Sequence, residues 1–119
     1  MFKKLIILIS LFLLSACDDS FNDLHLQALA KVNAGAILID VRSPAEYASG
    51  HLEGAINIPH TQIVQGITNL GVSQNSEIVL YCRSGNRSGQ ATASLQSAGF
   101  KSITNGGGYL SLLAAQQHK

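Results

Sequence analysis

The stretch EIVLYCRSGNRSGQATASLQSAG, residues 77–99, decides the fold that this sequence predicts. Residues 77–82 form an apolar run of strand length, and residues 88–98 read as a helix that ends at Gly99. A strand that leads through a short glycine-containing loop into a helix is typical of an α/β unit. Cys82 closes the strand, so the loop that follows it is the first place to look for function.

Further strands and helices alternate on both sides of this stretch. Strands are predicted at 36–40, 55–59 and 101–105, helices at 23–33, 43–49, 61–70 and 109–117, and a glycine loop at 106–108. This alternation predicts an α/β fold, in which a small parallel sheet is flanked by helices on both faces. Functional groups in such sheets gather at the carboxyl ends of the strands, where Asp40 and Cys82 lie.

The loop CRSGNRS, residues 82–88, has the composition of an anion-binding site. Successive N–H groups in a tight glycine-containing loop attract negative charge, and so does the N-terminus of a helix. Arg83 and Arg87 add positive charge. These conditions lower the pKa of a thiol, so Cys82 is a candidate nucleophile at neutral pH. A buried, inert cysteine is the alternative that composition alone would favour.

The N-terminus, residues 1–16, has the pattern of a signal peptide. Two lysines precede the apolar run LIILISLFLL at 5–14, which is too short to span a membrane as a helix. The segment LLSAC at 13–17 resembles the lipobox of bacterial lipoproteins, in which a Leu and two small residues precede a cysteine. The resemblance implies cleavage before Cys17. An ordinary signal peptide with a cysteine near its cleavage site is the alternative.

Lipidation of Cys17 would fix where the protein resides. Several acyl chains such as palmitate on one residue anchor a protein stably in a membrane, and residues 17–23 would then form the lipidated end and a short tether. The expected location is the bacterial cell envelope, on the periplasmic side, and Asp18 favours the inner membrane. Cys82 would then have no partner in the chain, and a leftover cysteine in an exported protein is a candidate reactive thiol.

Charge and histidine placement narrow the possible partners. The net charge is +1, and removal of the signal peptide takes two of the eight basic residues and none of the seven acidic ones. A nearly neutral chain without a basic stripe argues against a nucleic-acid partner. The four histidines are too scattered to predict a metal site, and no cofactor is implied. We expect a monomer, since nothing in the sequence indicates a dimer.

Two segments of the sequence resemble the signatures of the rhodanese family of sulfurtransferases. LIDVRSPAEYASGHLEGAINIPH at 38–60 is similar to the family's first signature, and IVLYCRSGNRSGQATASLQSAGF at 78–100 to its second. NGGGY at 105–109 is similar to the glycine pair that follows them. The resemblance predicts a single rhodanese domain over residues 24–119. One departure is Leu112, which stands about where the family often has a Trp.

The resemblance implies a sulfur-transfer reaction that needs no cofactor. The thiolate of Cys82 would attack thiosulfate or a similar small anionic donor and become a persulfide, and a thiol or cyanide would then accept the sulfur. Arg83 and Arg87 would hold the charge of the donor. The implied substrate-binding residues are Arg83, Ser84, Gly85, Asn86, Arg87 and Ser88.

Three residues of the first signature are predicted to support the site structurally. Asp40 ends a strand and would help to order the loop. Arg42 is expected to pair with Glu46 or with another acid. Ser43 and Glu46 form a capping-box pattern at the start of a helix, with Pro44 in its first turn.

Two rival functions remain at the level of sequence. Related phosphatases and arsenate reductases place an Arg six positions after the cysteine, but Ser88 stands there and Arg87 comes one residue earlier. Tyr81 also replaces the His that often precedes the cysteine in those phosphatases. The second rival is a non-enzymatic rhodanese-like module, either for recognition or for carrying a persulfide. The intact Cys82 loop argues against a recognition module but is compatible with a persulfide carrier.

Overall fold

The structure, a computed structural model, describes residues 24–117. The predicted signal peptide, the predicted lipidation site Cys17, the predicted tether and His118 therefore lie outside the described residues. The helices are α1 (24–33), α2 (Pro44–Ala48), α3 (Ile63–Leu70), α4 (Asn86–Ser97) and α5 (Tyr109–Gln117). The strands are β1 (Ile37–Asp40), β2 (Ile56–Asn57), β3 (Ile78–Cys82) and β4 (Ile103–Gly108), and a 3-10 turn (His60–Gln62) precedes α3.

The strands form one four-stranded sheet in the order β2-β1-β3-β4. All three neighbouring pairs are parallel, so every strand ends at the same edge of the sheet. The two central strands are in register from Ile37 opposite Ile78 to Asp40 opposite Tyr81. The predicted α/β architecture is thereby confirmed, and the ends of β1 and β3 lie side by side.

Side chains of β3 alternate between two apolar layers, because successive residues of a strand point to opposite faces. Ile78, Leu80 and Cys82 join a cluster with residues of α3 and α4. Val79 and Tyr81 join a second cluster with residues of α1 and α5. All five residues of β3 are buried, as expected for the central strand of a covered parallel sheet. Helices thus cover both faces, as predicted.

The start of α2 has the predicted capping box. The Ser43 hydroxyl accepts the Glu46 N–H at 3.3 Å, and the Ser43 N–H donates to Glu46 Oε1 at 3.0 Å. Pro44 occupies the first helical turn, where a missing N–H costs nothing. The capping box fixes the carboxylate of Glu46 near the carboxyl edge of the sheet.

Two predicted boundaries near the site were wrong. The helix predicted from residue 88 begins at Asn86, so the loop after Cys82 has only three residues, 83–85. The glycines 106–108, predicted as a loop, belong to β4. Strand β4 continues because it absorbs a bulge between Asn105, which pairs with Leu80, and Gly108, which pairs with Cys82.

The remaining differences are smaller. The strand predicted at 55–59 pairs at only two residues, Ile56 and Asn57, and Pro59 has no N–H for a longer ladder. The helix predicted at 61–70 is divided into the 3-10 turn and α3. Within residues 24–117, no helix is long and apolar enough to cross a membrane.

Candidate active site

Cys82 is the last residue of β3, between β1 and β4 at the carboxyl edge of the sheet. The residue is fully buried and carries a free thiol. On one side it belongs to the apolar cluster under α3 and α4. On the other side lies the short loop that leads into α4, so the sulfur sits at the boundary between apolar core and polar loop.

Three hydrogen-bonding groups of the loop and of α4 converge on the sulfur. The Gly85 N–H donates to Cys82 Sγ at 3.0 Å and the Ser88 N–H at 3.4 Å. The Ser88 hydroxyl lies 3.4 Å from the same sulfur. Two of the three groups are backbone N–H donors, so their direction is set by the fold.

The sulfur takes the place of the missing cap of α4. Gly85 is the N-cap residue and has no side chain to satisfy the first N–H groups of the helix. Its φ of 96° is in the left-handed region, which only glycine adopts without strain. The chain therefore turns sharply there and points its N–H groups, with the positive end of the helix dipole, at Cys82.

This arrangement changes the acidity of the thiol. Burial raises the pKa of Cys82, but the hydrogen bonds of the Ser88 hydroxyl and of the Ser88, Ser84 and Gly85 N–H groups outweigh it. The pKa of the thiol therefore lies below its ordinary value. A cysteine that is merely inert and buried would show the opposite shift, so the surroundings of Cys82 favour the thiolate.

Asn105 completes the loop environment, and sequence reasoning missed it. Its side-chain Nδ2 donates to the Gly85 carbonyl at 3.1 Å, and its Oδ1 accepts the Ser88 hydroxyl at 2.7 Å. Oδ1 also accepts the Gly107 N–H at 3.0 Å. The available signal was its position as the first residue of NGGGY, but only the bulge in β4 shows that its side chain meets the loop.

The two arginines of the loop are placed differently. Arg83 is exposed and forms no ion pair among the described residues. Arg87 lies in the first turn of α4 and forms a bidentate pair with Glu46, at 2.7 Å from Nη1 to Oε1 and 3.0 Å from Nη2 to Oε2. Its charge, predicted to hold the donor, is therefore already shared with Glu46. Bonds from Arg87 and from the Ser43 N–H lower the pKa of Glu46 to about 2.

Arg42 pairs with Asp40 rather than with Glu46. Its Nη2 lies 2.6 Å from Asp40 Oδ2, and Nε lies 3.0 Å from both carboxylate oxygens. The Arg42 N–H also donates to Asp40 Oδ1, at 2.9 Å. Both residues are buried, and the hydrogen bonds to the sulfur come from Gly85 and Ser88 instead, so the supporting role of Asp40 and Arg42 stays a prediction.

The side chains of the remaining predicted site residues and of the described histidines form no hydrogen bond with the sulfur. Ser84 is exposed and Asn86, also exposed, is the first residue of α4. His51, one of the four scattered histidines, has its Nδ1 2.9 Å from the Tyr47 carbonyl. Among residues 24–117, no cluster of three or more His, Cys, Asp or Glu side chains could hold a metal ion.

An open groove of about 520 Å³ borders the site on the side of Arg87. Its walls come from the segment after β1, from the segment around Pro59 and the 3-10 turn, and from Arg87 itself. Since Glu46 neutralises Arg87, the groove offers mainly uncharged polar and apolar surface.

Fold and site together define an α/β domain that presents a thiolate-favouring cysteine at the end of a central parallel strand. The model of the Rhodanese-like domain family matches residues 24–114. The chain belongs to this family.

Relatives and solved structures agree with this assignment. Thiosulfate sulfurtransferase PspE of Escherichia coli is 39% identical over 70 residues, which cover 59% of this chain and 67% of PspE. Thiosulfate sulfurtransferase GlpE of Pseudomonas entomophila is 35% identical over 77 residues, 65% of this chain and 69% of GlpE. A structure described as rhodanese with anions from E. coli superimposes with a TM-score of 0.62 at 35% identity, over 65% of this chain and 91% of that one. The chain thus groups with rhodanese-type transferases.

Proposed function

We propose that this protein is a sulfurtransferase that carries sulfane sulfur as a persulfide on Cys82. The observation that carries the proposal is the convergence of the Gly85 N–H, the Ser88 N–H and the Ser88 hydroxyl on a sulfur whose pKa is lowered. Such a site stabilises a negative charge on sulfur, both on the attacking thiolate and on the persulfide that it becomes.

The proposed reaction has two steps, each a displacement at sulfur. The Cys82 thiolate attacks the outer sulfur of thiosulfate, the donor in the names of PspE and GlpE. A bond forms between the two sulfurs while the sulfur–sulfur bond of thiosulfate breaks, and sulfite leaves with the electron pair. In the second step an acceptor thiolate or cyanide attacks the outer sulfur of the persulfide, and Cys82 leaves as the thiolate.

The arginines contribute unequally to donor binding in this proposal. Arg83 is exposed, so its charge attracts an anionic donor to the loop. Arg87 must share its guanidinium between Glu46 and the donor, and acts mainly by fixing the first turn of α4. Because Cys82 is buried, groups around the sulfur have to shift for the donor to reach it.

Intact-mass measurement of the full chain tests the proposal. A Cys17→Ser variant purified in mild detergent leaves Cys82 as the one thiol of the chain. We expect thiosulfate to add one sulfur atom, cyanide to remove it, and a variant that also carries Cys82→Ser to gain nothing. If thiosulfate, polysulfide and glutathione persulfide all leave a demonstrably free Cys82 unmodified, the enzyme proposal fails and a recognition module takes its place. Hydrolysis of a phenyl phosphate would favour the phosphatase alternative.

We also propose that Cys17 carries the lipid anchor and holds the domain at the periplasmic side of the bacterial inner membrane. The support is the sequence alone, namely LLSAC at 13–17 followed by Asp18. Cells grown with labelled palmitate should label the wild-type chain and a Cys82→Ser variant equally. Persistence of the label in a Cys17→Ser variant would exclude this anchor.

A further inference from the structure

The side chain of Asn105 connects the site to β4 through three hydrogen bonds. Nδ2 donates to the Gly85 carbonyl at 3.1 Å, while Oδ1 accepts the Ser88 hydroxyl at 2.7 Å and the Gly107 N–H at 3.0 Å. A backbone carbonyl only accepts and a backbone N–H only donates, so these partners fix which end of the amide faces each of them. Asn105 itself is exposed, so core packing does not explain these contacts.

Two of the three partners of Asn105 belong to residues that bond to the catalytic sulfur. Gly85 provides the shortest contact to Cys82 Sγ, at 3.0 Å, and Ser88 provides both an N–H and a hydroxyl at 3.4 Å. The Gly85 carbonyl also accepts the Gly89 N–H at 2.9 Å, but that bond fixes it only to α4. The bond from Asn105 fixes it to the sheet, where Cys82 lies.

We propose that Asn105 is a positioning residue for Cys82, holding the Gly85 and Ser88 donors on the sulfur and thereby favouring the thiolate. The proposal rests on the proposed function of Cys82 as the nucleophile. Asn105 does not touch the sulfur and acts through the two loop residues. This role explains why β4, which lies outside the signature around Cys82, contributes to the site.

The Ser88 hydroxyl affects the Cys82 thiolate in the opposite direction to the N–H donors when Asn105 is removed. Its single proton faces three acceptors, which are Cys82 Sγ, Asn105 Oδ1 and the Gly85 carbonyl. When the proton points to Asn105, it does not stabilise the thiolate. Removal of Asn105 would free this proton but would also release Gly85, whose left-handed backbone is not restrained by a side chain of its own. We infer that the loss of fixed N–H donors raises the pKa of Cys82 by more than the freed Ser88 proton lowers it.

The test measures the pKa of Cys82 in the full chain carrying Cys17→Ser, from the pH dependence of thiolate absorbance. We expect Asn105→Ala to raise the pKa, so that, at pH values below the pKa of the parent thiol, the thiolate fraction and the rate of persulfide formation fall by about three- to tenfold. The rate should recover at alkaline pH, because the thiolate forms there without help. A merely structural role would lower the rate by a similar factor at every pH.

Thr104→Ala is the matched control, because Thr104 lies next to Asn105 on β4 and bonds to Lys31 instead of to the loop, at 2.8 Å. It should leave the pKa of Cys82 unchanged. Asn105→Asp is a second variant of nearly the same size. It keeps the acceptor, loses the donor to Gly85 and adds a negative charge, so it should raise the pKa further.

An unchanged or lowered pKa in either folded Asn105 variant would overturn the inference. The thiolate measurement needs no sulfur donor, so this result is distinct from failure of the proposed function. If the parent chain forms no persulfide, the proposed function fails. If the parent chain forms the persulfide and the variants keep the Cys82 pKa of the parent, only the proposed role of Asn105 fails.

Discussion

Glu46 shows how one side chain can serve two parts of the site. Its Oε1 accepts the Ser43 N–H that closes the capping box of α2, and both of its oxygens accept bonds from Arg87. The guanidinium of Arg87 and the Ser43 N–H lower the pKa of Glu46 to about 2. The carboxylate therefore keeps its charge, and its hold on the first turn of α4, across the physiological pH range.

Replacing the carboxylate of Glu46 should make the free energy of unfolding less dependent on pH in the acid range. The pKa of Glu46 is about 2 in the folded state and about 4.5 in the unfolded chain, so its contribution is present above pH 4.5 and is lost as the pH falls towards 2. The side chain is 31% exposed, so solvent screening limits the contribution to about 1 kcal/mol. Glu46→Gln should lower the urea midpoint at pH 7, and the difference from the wild type should shrink below pH 4.5.

Glu53→Gln is the control for this series, since Glu53 is exposed and has no ion pair among the described residues. A difference between wild type and Glu46→Gln that stays constant down to pH 2.5 would contradict the assignment of the effect to the charge of Glu46.

At this scale the sequence indicated Cys82 as a candidate nucleophile but not the contacts that surround it. Cys82 stands out because a strand, a glycine and a helix start surround it within a few positions. The pair between Glu46 and Arg87 joins residues 41 positions apart, and Asn105 lies 17 positions beyond Ser88. Such contacts depend on which strands are neighbours and on where a bulge falls, and one sequence contains no local pattern for either.

Among the elements, α3 contains a glycine whose role is packing. By propensity alone, Gly66 weakens the helix, because glycine is a poor helix former. In the structure, a Cβ added at Gly66 would lie 2.5 Å from Ile58 Cγ2 and 3.1 Å from its Cδ1. Ile58 is buried in the cluster beneath α3 and α4. The missing side chain lets α3 approach the segment after β2, which forms a wall of the groove beside Arg87.

Gly66→Ala should destabilise the protein although alanine is the better helix former. The clash with Ile58 should cost about 1–3 kcal/mol, and the gain of about 1 kcal/mol in helix propensity offsets only part of it. Urea unfolding of a double-mutant cycle checks the cause. In an Ile58→Ala background, the same Gly66→Ala change should be neutral or stabilising. Equal destabilisation in both backgrounds would show that the clash is not the reason.

Element boundaries were the part that sequence patterns predicted least well. The sequence pattern predicts a start of α4 two residues too late, because Gly85 and the polar residues after it have the composition of a loop, and the N-cap residue itself has no side chain that caps the helix. Here the cap is the sulfur of Cys82, three residues before Gly85. Glycines 106–108 also have the composition of a loop. They belong to a bulged strand that lies close to the loop after Cys82, where only small residues fit.

Across the whole molecule, the buried pair of Asp40 and Arg42 connects the layers beside the site. Arg42 Nη2 donates to Asp40 at 2.6 Å and to the Gly50 carbonyl, after α2, also at 2.6 Å. The guanidinium carbon lies 4.5 Å from the ring centroid of Tyr109, at the start of α5. Hydrogen bonding to the Asp40 carboxylate raises the pKa of Arg42 despite its burial. One side chain thus joins β1, the turn after α2 and α5.

The two charges should be strongly coupled in a double-mutant cycle. Their side chains are 6% and 0% exposed, so either single change leaves a buried charge without its partner. Arg42→Met and Asp40→Asn should each cost about 3–5 kcal/mol in the free energy of unfolding, and the double variant should cost clearly less than their sum. Arg42→Lys should recover only part of the loss, because an ammonium keeps the charge but cannot bond as a planar fork to Asp40 and Gly50 together. Urea unfolding at neutral pH measures the wild type and all four variants. Additive single costs would mean that the pair acts as two independent residues rather than as one connection between layers.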